Sequence, residues 1–168
     1  MNSQAAPRGA RIMAWLVVVL VAVLVVLGFA WYGFSAEVHQ RIWRDIAERP
    51  GGPMSFRFLL QPAMAVIAAI HDGVQDARTG RSPYFWTVLS NPSERAGRLR
   101  EGLLATARLV LIGLGMDVLY QWRVLDTFYP GEALLVALLL AVLPYLLLRG
   151  PVSRIARRFV HPSSGSAR

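Results

Sequence analysis

The side chains with the plainest chemical potential are His71, Asp72 and Asp76, in the run His71-Asp72-Gly73-Val74-Gln75-Asp76-Ala77-Arg78. Two carboxylates and an imidazole within six residues can share a divalent cation, and on a helix Asp72 and Asp76, four apart, lie on one face. A cation held there would polarise a phosphoryl oxygen, so the chemistry to weigh is metal-assisted phosphoryl transfer. One helix end with no second ligand cluster makes a weak metal site, and the competing expectation is a solvated helix end with an Asp72/Asp76 face.

The run comes close to the D-G-x-x-A-R signature of membrane enzymes that transfer alcohol phosphates from CDP-linked lipids, and departs from it at each point that matters. Three residues separate Asp72-Gly73 from Ala77-Arg78 where two are needed, position 69 is Ala where aspartate is required, and no later pair of aspartates follows Gly80 to complete a metal site. No Ser–His–Asp grouping, H-E-x-x-H motif or phosphate-binding glycine loop occurs elsewhere. The absence of cysteine excludes disulfides, thiol catalysis and thiolate metal sites. No cofactor is expected.

A second set of polar groups gains its interest from where the chain must put it. Ile12 to Phe34 is a run of 23 residues without a charge, long enough at ~1.5 Å per residue to cross a bilayer core. Trp15, Trp31 and Tyr32 mark its two ends, where amphipathic rings prefer to lie. Arg8 and Arg11 precede it, as in a secretory signal, but the run is too long for a cleaved one, so an uncleaved anchor is expected. Met54 to Ile70 reads as a second, short span of about 25 Å. Leu103 to Trp122 reads as a third, and residues 131–148 as a fourth with a kink at Pro144. The fold class is therefore an all-helical membrane bundle of four spans, with three spans as the alternative if Met54 to Ile70 does not cross.

In the four-span topology Arg57 and Asp117 fall ~5 and ~8 Å below the same boundary at 1.5 Å per residue. Each sits on a row of polar and small residues at i,i+4 spacing: Arg57, Gln61, Ala65, Ala69, Gly73 and Ala105, Leu109, Gly113, Asp117, Gln121. Rows of this kind face other helices rather than lipid. Packing them together would pair Arg57 with Asp117, bring Gln61 to Asp117 as a second donor and leave Gln121 on the same polar set. A proton or ion relay is the functional alternative to this structural pair. Arg108, in the same span, is expected to snorkel.

The connections are polar. Glu37 to Arg49 has opposite charges at i,i+4 throughout and should be a self-neutralised helix outside the bilayer. His71 to Gly102 carries five arginines and the aromatic run Tyr84-Phe85-Trp86, suited to an interface, and Asn91-Pro92-Ser93-Glu94 opens the third helix. Arg149-Gly150-Pro151 should stop the fourth. Residues 152–160 then read as a basic amphipathic helix lying on the membrane, so Arg149, Arg154, Arg157 and Arg158 form an expected lipid-binding set, and 162–168 should be disordered.

The composition agrees with a small membrane protein: 168 residues, 55% hydrophobic, net charge +8, with every basic residue an arginine. The positive charge lies beside membrane helices rather than along a groove interleaved with aromatics, so the expected acidic partner is an anionic headgroup and not nucleic acid. In the four-span topology twelve arginines fall on the side of the termini against four on the other, which makes both termini cytoplasmic.

Four segments, Phe56 to Pro62, Asp72 to Arg81, Phe128 to Ala133 and Pro144 to Pro151, together resemble a group of small uncharacterised bacterial inner-membrane proteins. The resemblance covers the chain after Pro53 and implies a bacterial inner-membrane location; it brings no activity or site. The functional reading is a non-enzymatic membrane component, an accessory subunit or lipid-contacting scaffold, with a membrane-protein partner or a second copy as possible company. The alternatives are a small oligomeric transporter or ion conductor and, third, a lipid-modifying enzyme using Asp72 and Asp76.

Overall fold

The computed structural model describes residues 7–33 and 35–159. They form α1 (Arg8–Tyr32), α2 (Ala36–Glu48), α3 (Arg57–Arg78), α4 (Tyr84–Ser90), α5 (Pro92–Tyr120), α6 (Pro130–Ala137) and α7 (Leu143–Ala156), with no strand among the described residues. Wider, π-type turns over Gln121–Leu125 and Leu138–Val142 extend α5 and join α6 to α7 in one long helix. The second of these turns lies just ahead of Pro144. A proline ring lacks the N–H and crowds the carbonyl four residues back, and a widened turn absorbs both defects without breaking the rod.

Three helices are long and apolar enough to cross a membrane: Arg8–Tyr32, Pro92–Leu125 and Pro130–Ala156. The chain is an all-helical, multi-pass membrane protein on that ground. α3 is not among the three, because its 22 residues include Gln61, His71, Asp72, Gln75 and Asp76.

The helix directions follow from contacts at their ends. The Tyr32 hydroxyl, ending α1, donates to the Phe128 carbonyl just before α6, at 2.8 Å. At the other end Arg11, Ala14 and Trp15 of α1 share a groove with Arg100 and Leu103 of α5. α1 and α5 therefore run the same way. α3 begins at the level of Asp117, which Arg57 contacts, and ends at the level of Arg98, which contacts Asp76, so it runs opposite to α5. The α6–α7 rod also runs opposite, from Glu132 to Arg149.

Small residues set the spacing of the core. Ala65, Ala69, Ala133, Ala137 and Ala141 are fully buried, and the whole row Arg57, Gln61, Ala65, Ala69, Gly73 is the buried face of α3. At Gly73 the neighbour includes backbone: a Cβ there would stand 2.8 Å from Val152 Cγ1 and 2.9 Å from the Arg149 carbonyl oxygen. Only glycine lets α3 and α7 approach so closely. The outward faces of α1, α3 and α5 are apolar, with Val26, Leu59, Ile67 and Ile112 exposed.

The structure corrects the expected end of the fourth helix. Arg149-Gly150-Pro151 does not stop it; α7 continues to Ala156. Gly150 and Ser153 are buried, Val152 packs on Gly73, and Pro151 stands on the exposed side. Tertiary packing there outweighs the loss of one backbone hydrogen bond at the proline. Residues 152–156 are thus the last turn of a bundle helix rather than the start of a separate surface helix. Val160 and residues 162–168 lie outside the described residues.

Candidate functional site: two buried arginine–carboxylate layers

Ionisable side chains gather at two levels of the bundle. At the first, Arg49 follows α2 in a single 3₁₀ turn, with Pro50 behind it, and points into the bundle. Its guanidinium donates to Asp117 of α5 and, at 2.8 Å, to Glu132 of α6. Arg57, opening α3, donates to the same Asp117 oxygen. The other Asp117 oxygen accepts from Gln121 at 2.6 Å, and Gln121 also reaches the Tyr129 carbonyl. Glu132 is completed by Arg41 of α2 at 2.6 Å. Asp117 and Glu132 are both 0% exposed. The Tyr129 ring lies under Arg41 at 3.8 Å and the Tyr120 ring under Arg49 at 4.8 Å, so aromatic faces share the cationic load.

At the second level Asp76 of α3 is the centre. Arg149 of α7 grips it with two nitrogens, Nε to Oδ2 at 2.8 Å and Nη2 to Oδ1 at 3.2 Å, in the fork geometry that suits guanidinium and carboxylate. Arg98 of α5 adds a bond to Oδ1 at 3.0 Å and anchors the loop through the Ser82 carbonyl at 2.7 Å. Glu101 takes Arg81 at 2.8 Å and Arg98 at 3.2 Å. Above them Tyr145 donates to Asp72 at 2.7 Å and accepts from Arg149 at 2.6 Å. The Tyr84 ring lies under Arg149 at 4.4 Å, and its hydroxyl, pushed up in pKa by burial, stays a donor to the Arg98 carbonyl at 2.9 Å.

The two levels are matched in height on every rod that joins them. Arg57 and Asp76 are 19 residues apart on α3, Arg98 and Asp117 are 19 apart on α5, and Glu132 and Arg149 are 17 apart on α6–α7. At 1.5 Å per residue these are spans of about 28, 28 and 26 Å. A hydrocarbon core is ~30 Å thick.

Of the residues expected from sequence, Arg57, Asp117 and Gln121 meet at the first level. Gln61 does not reach Asp117: it lies over Gly113 and donates to the Leu109 carbonyl at 3.4 Å. Glutamine is too short to climb the full turn that separates it from Arg57's level. Asp72 and Asp76 do not form a solvated face. Asp76 is 1% exposed and bonded by arginine, Asp72 is taken by Tyr145, and among the described residues no three His, Asp or Glu side chains form a group that could hold a metal ion. His71 is exposed, 3.1 Å from Asp72.

Arg149 leaves the expected lipid set, since it is 4% exposed and its donors are spent on Asp76 and Tyr145. Arg154, Arg157 and Arg158 are exposed, and Arg157 donates to the Arg81 carbonyl. Glu37 to Arg49 is not self-contained either, because Arg41 and Arg49 spend their strongest bonds on α5 and α6. Nor does the aromatic run lie wholly at an interface: Phe85 and Trp86 are exposed, but Tyr84 is buried under Arg149. Sequence reasoning missed Arg49 and Glu132 altogether. The available signal was Glu132, a carboxylate at the third position of an apolar helix with no neutralising neighbour.

Chemically, each buried carboxylate accepts from two or more donors, an arrangement that suits clamping helices together. Comparison of the chain with protein-family models, with curated proteins and with solved structures finds no match.

Proposed function

We propose that the chain is a non-enzymatic integral component of the bacterial inner membrane, a lipid-contacting scaffold or accessory subunit of four spans with both termini cytoplasmic. The observation that carries this reading is the pair of matched ionic layers about 26–28 Å apart, which the three rods α3, α5 and α6–α7 join while presenting apolar faces outward. Parallel α1 and α5 support a return crossing between them, and α3 is the helix in position to make it. Its polar groups all belong to the buried face or the two ends, so a modest hydropathy is compatible with crossing. The arginine bias toward the terminal side supports cytoplasmic termini.

The engaged state of Asp72, Asp76, Asp117 and Glu132 favours structural roles over a lipid-modifying site or an ion relay. The closed alanine rows between helices favour a packed interior over a conducting one. The test is purification in mild detergent followed by reconstitution into liposomes. The expected result is co-elution of lipid or a stoichiometric partner with no ion or solute flux. A homo-oligomer that conducts would overturn the reading.

A further inference from the structure

We propose that the groove between the first turns of α1 and α5 binds an anionic phospholipid, its phosphate held by Arg11 and Arg100; this rests on the membrane reading above. The groove has a cavity volume of about 260 Å³ and is lined by Arg11, Ala14 and Val18 of α1 and by Arg100, Leu103 and Leu104 of α5, both arginines being exposed and Ala14 buried. The arginines at this end differ in how they are engaged. Arg81, Arg98 and Arg149 are neutralised by Asp76 and Glu101, whereas the Arg11 and Arg100 side chains have no hydrogen bond or ion pair among the described residues.

Two unpaired guanidiniums facing one cleft call for an anion, and phosphate matches their fork geometry. The apolar lining decides which anion. Ala14 and Val18 are successive turns of α1, so the groove leads from the basic rim toward the bundle's middle, the path an acyl chain follows. A free phosphate makes no use of that wall. Trp15, 70% exposed at the same level, adds an interfacial ring beside the headgroup.

Arg108 points the same way. It stands one turn deeper than Leu104 on the same face of α5, is exposed, and also has no partner among the described residues. Helical side chains lean toward the helix N-terminus, here toward the groove. Cation pockets between membrane helices on the cytoplasmic side are the usual seat of acidic headgroups.

The experiment follows the thermal unfolding of the full chain in a neutral detergent, titrated with phosphatidylglycerol, phosphatidylcholine or inorganic phosphate. The expected result is a saturable rise in Tm with phosphatidylglycerol only, its apparent affinity reduced at least tenfold in R11Q/R100Q. The control R78Q/R123Q loses the same charge from exposed arginines that do not line the groove and should bind like the parent. Both variants should fold, because none of the four side chains has a partner among the described residues to lose. Equal loss in the two variants would reduce the effect to general electrostatics and overturn the site, as would parent-like binding by R11Q/R100Q. Stabilisation by inorganic phosphate alone would overturn the lipid assignment. Failure of the membrane reading shows differently, as a chain that stays monodisperse without detergent.

Discussion

Arg149 and Asp76, 73 residues apart in the chain, meet with two parallel bonds of 2.8 and 3.2 Å where α7 crosses the end of α3. Both are almost wholly buried, so neither charge has water to fall back on. Removing the carboxylate in Asp76→Ala leaves the buried guanidiniums of Arg149 and Arg98 with only the partly exposed Glu101 and Asp72 as counter-charges, and should cost about 3–5 kcal/mol. Arg149→Ala leaves Asp76 with Arg98 and should cost less. The double variant should be milder than the sum, with a coupling of about 0.5–3 kcal/mol in a denaturant-unfolding cycle in micelles. Strict additivity would mean the pair does not hold α3 to α7.

Asp117 predicts the same kind of asymmetry at the other level. It accepts from Arg49, Arg57 and Gln121, so Asp117→Ala takes an acceptor from three donors and leaves Arg57 with none, while Arg57→Ala leaves the carboxylate with two donors. The first should cost about 3–5 kcal/mol and the second about 1–3 kcal/mol. Unfolding midpoints in that order are expected; a larger loss for Arg57→Ala would contradict the shared acceptor.

How much of this was legible in the chain is clearest at Asp117. Its depth and its i,i+4 row were enough to join it to Arg57, because both arguments use only helix rise and side-chain period. Arg49 escaped because its own segment offered it local partners, and periodicity says nothing about a bond across 68 residues. Arg149 escaped for a related reason. An arginine closing an apolar run before Gly-Pro reads as a boundary residue, and only the packing of Val152 on Gly73 carries the helix past it.

That packing yields a prediction of its own. Gly73→Ala puts a methyl against the Arg149 backbone carbonyl, which cannot rotate away, and should destabilise by about 1–3 kcal/mol. Gly115→Ala meets nothing within 4 Å and should be neutral or stabilising by up to about 1 kcal/mol. Thermal unfolding of the two variants side by side separates a steric cost from a general intolerance of change in these helices.

Arg41 pins α2 to the bundle through Glu132 and the Tyr129 ring while remaining partly exposed. Arg41→Ala should therefore raise amide hydrogen exchange across Ala36–Glu48 more than it lowers global stability. Unchanged exchange in α2 would mean that Arg49 alone holds it.

The crossing of α3 is the point on which the four-span bundle stands, and single cysteines report on it without background because the chain has none. Ser55 and Ser90, both exposed, flank α3 and α4, and Gly9 and Thr127 mark the start of α1 and the turn before α6. With a membrane-impermeant maleimide on intact spheroplasts, Ser55→Cys and Thr127→Cys should label at once, and Gly9→Cys and Ser90→Cys only after lysis. Labelling of Ser55→Cys and Ser90→Cys from the same face would contradict the crossing and leave a bundle of three spans.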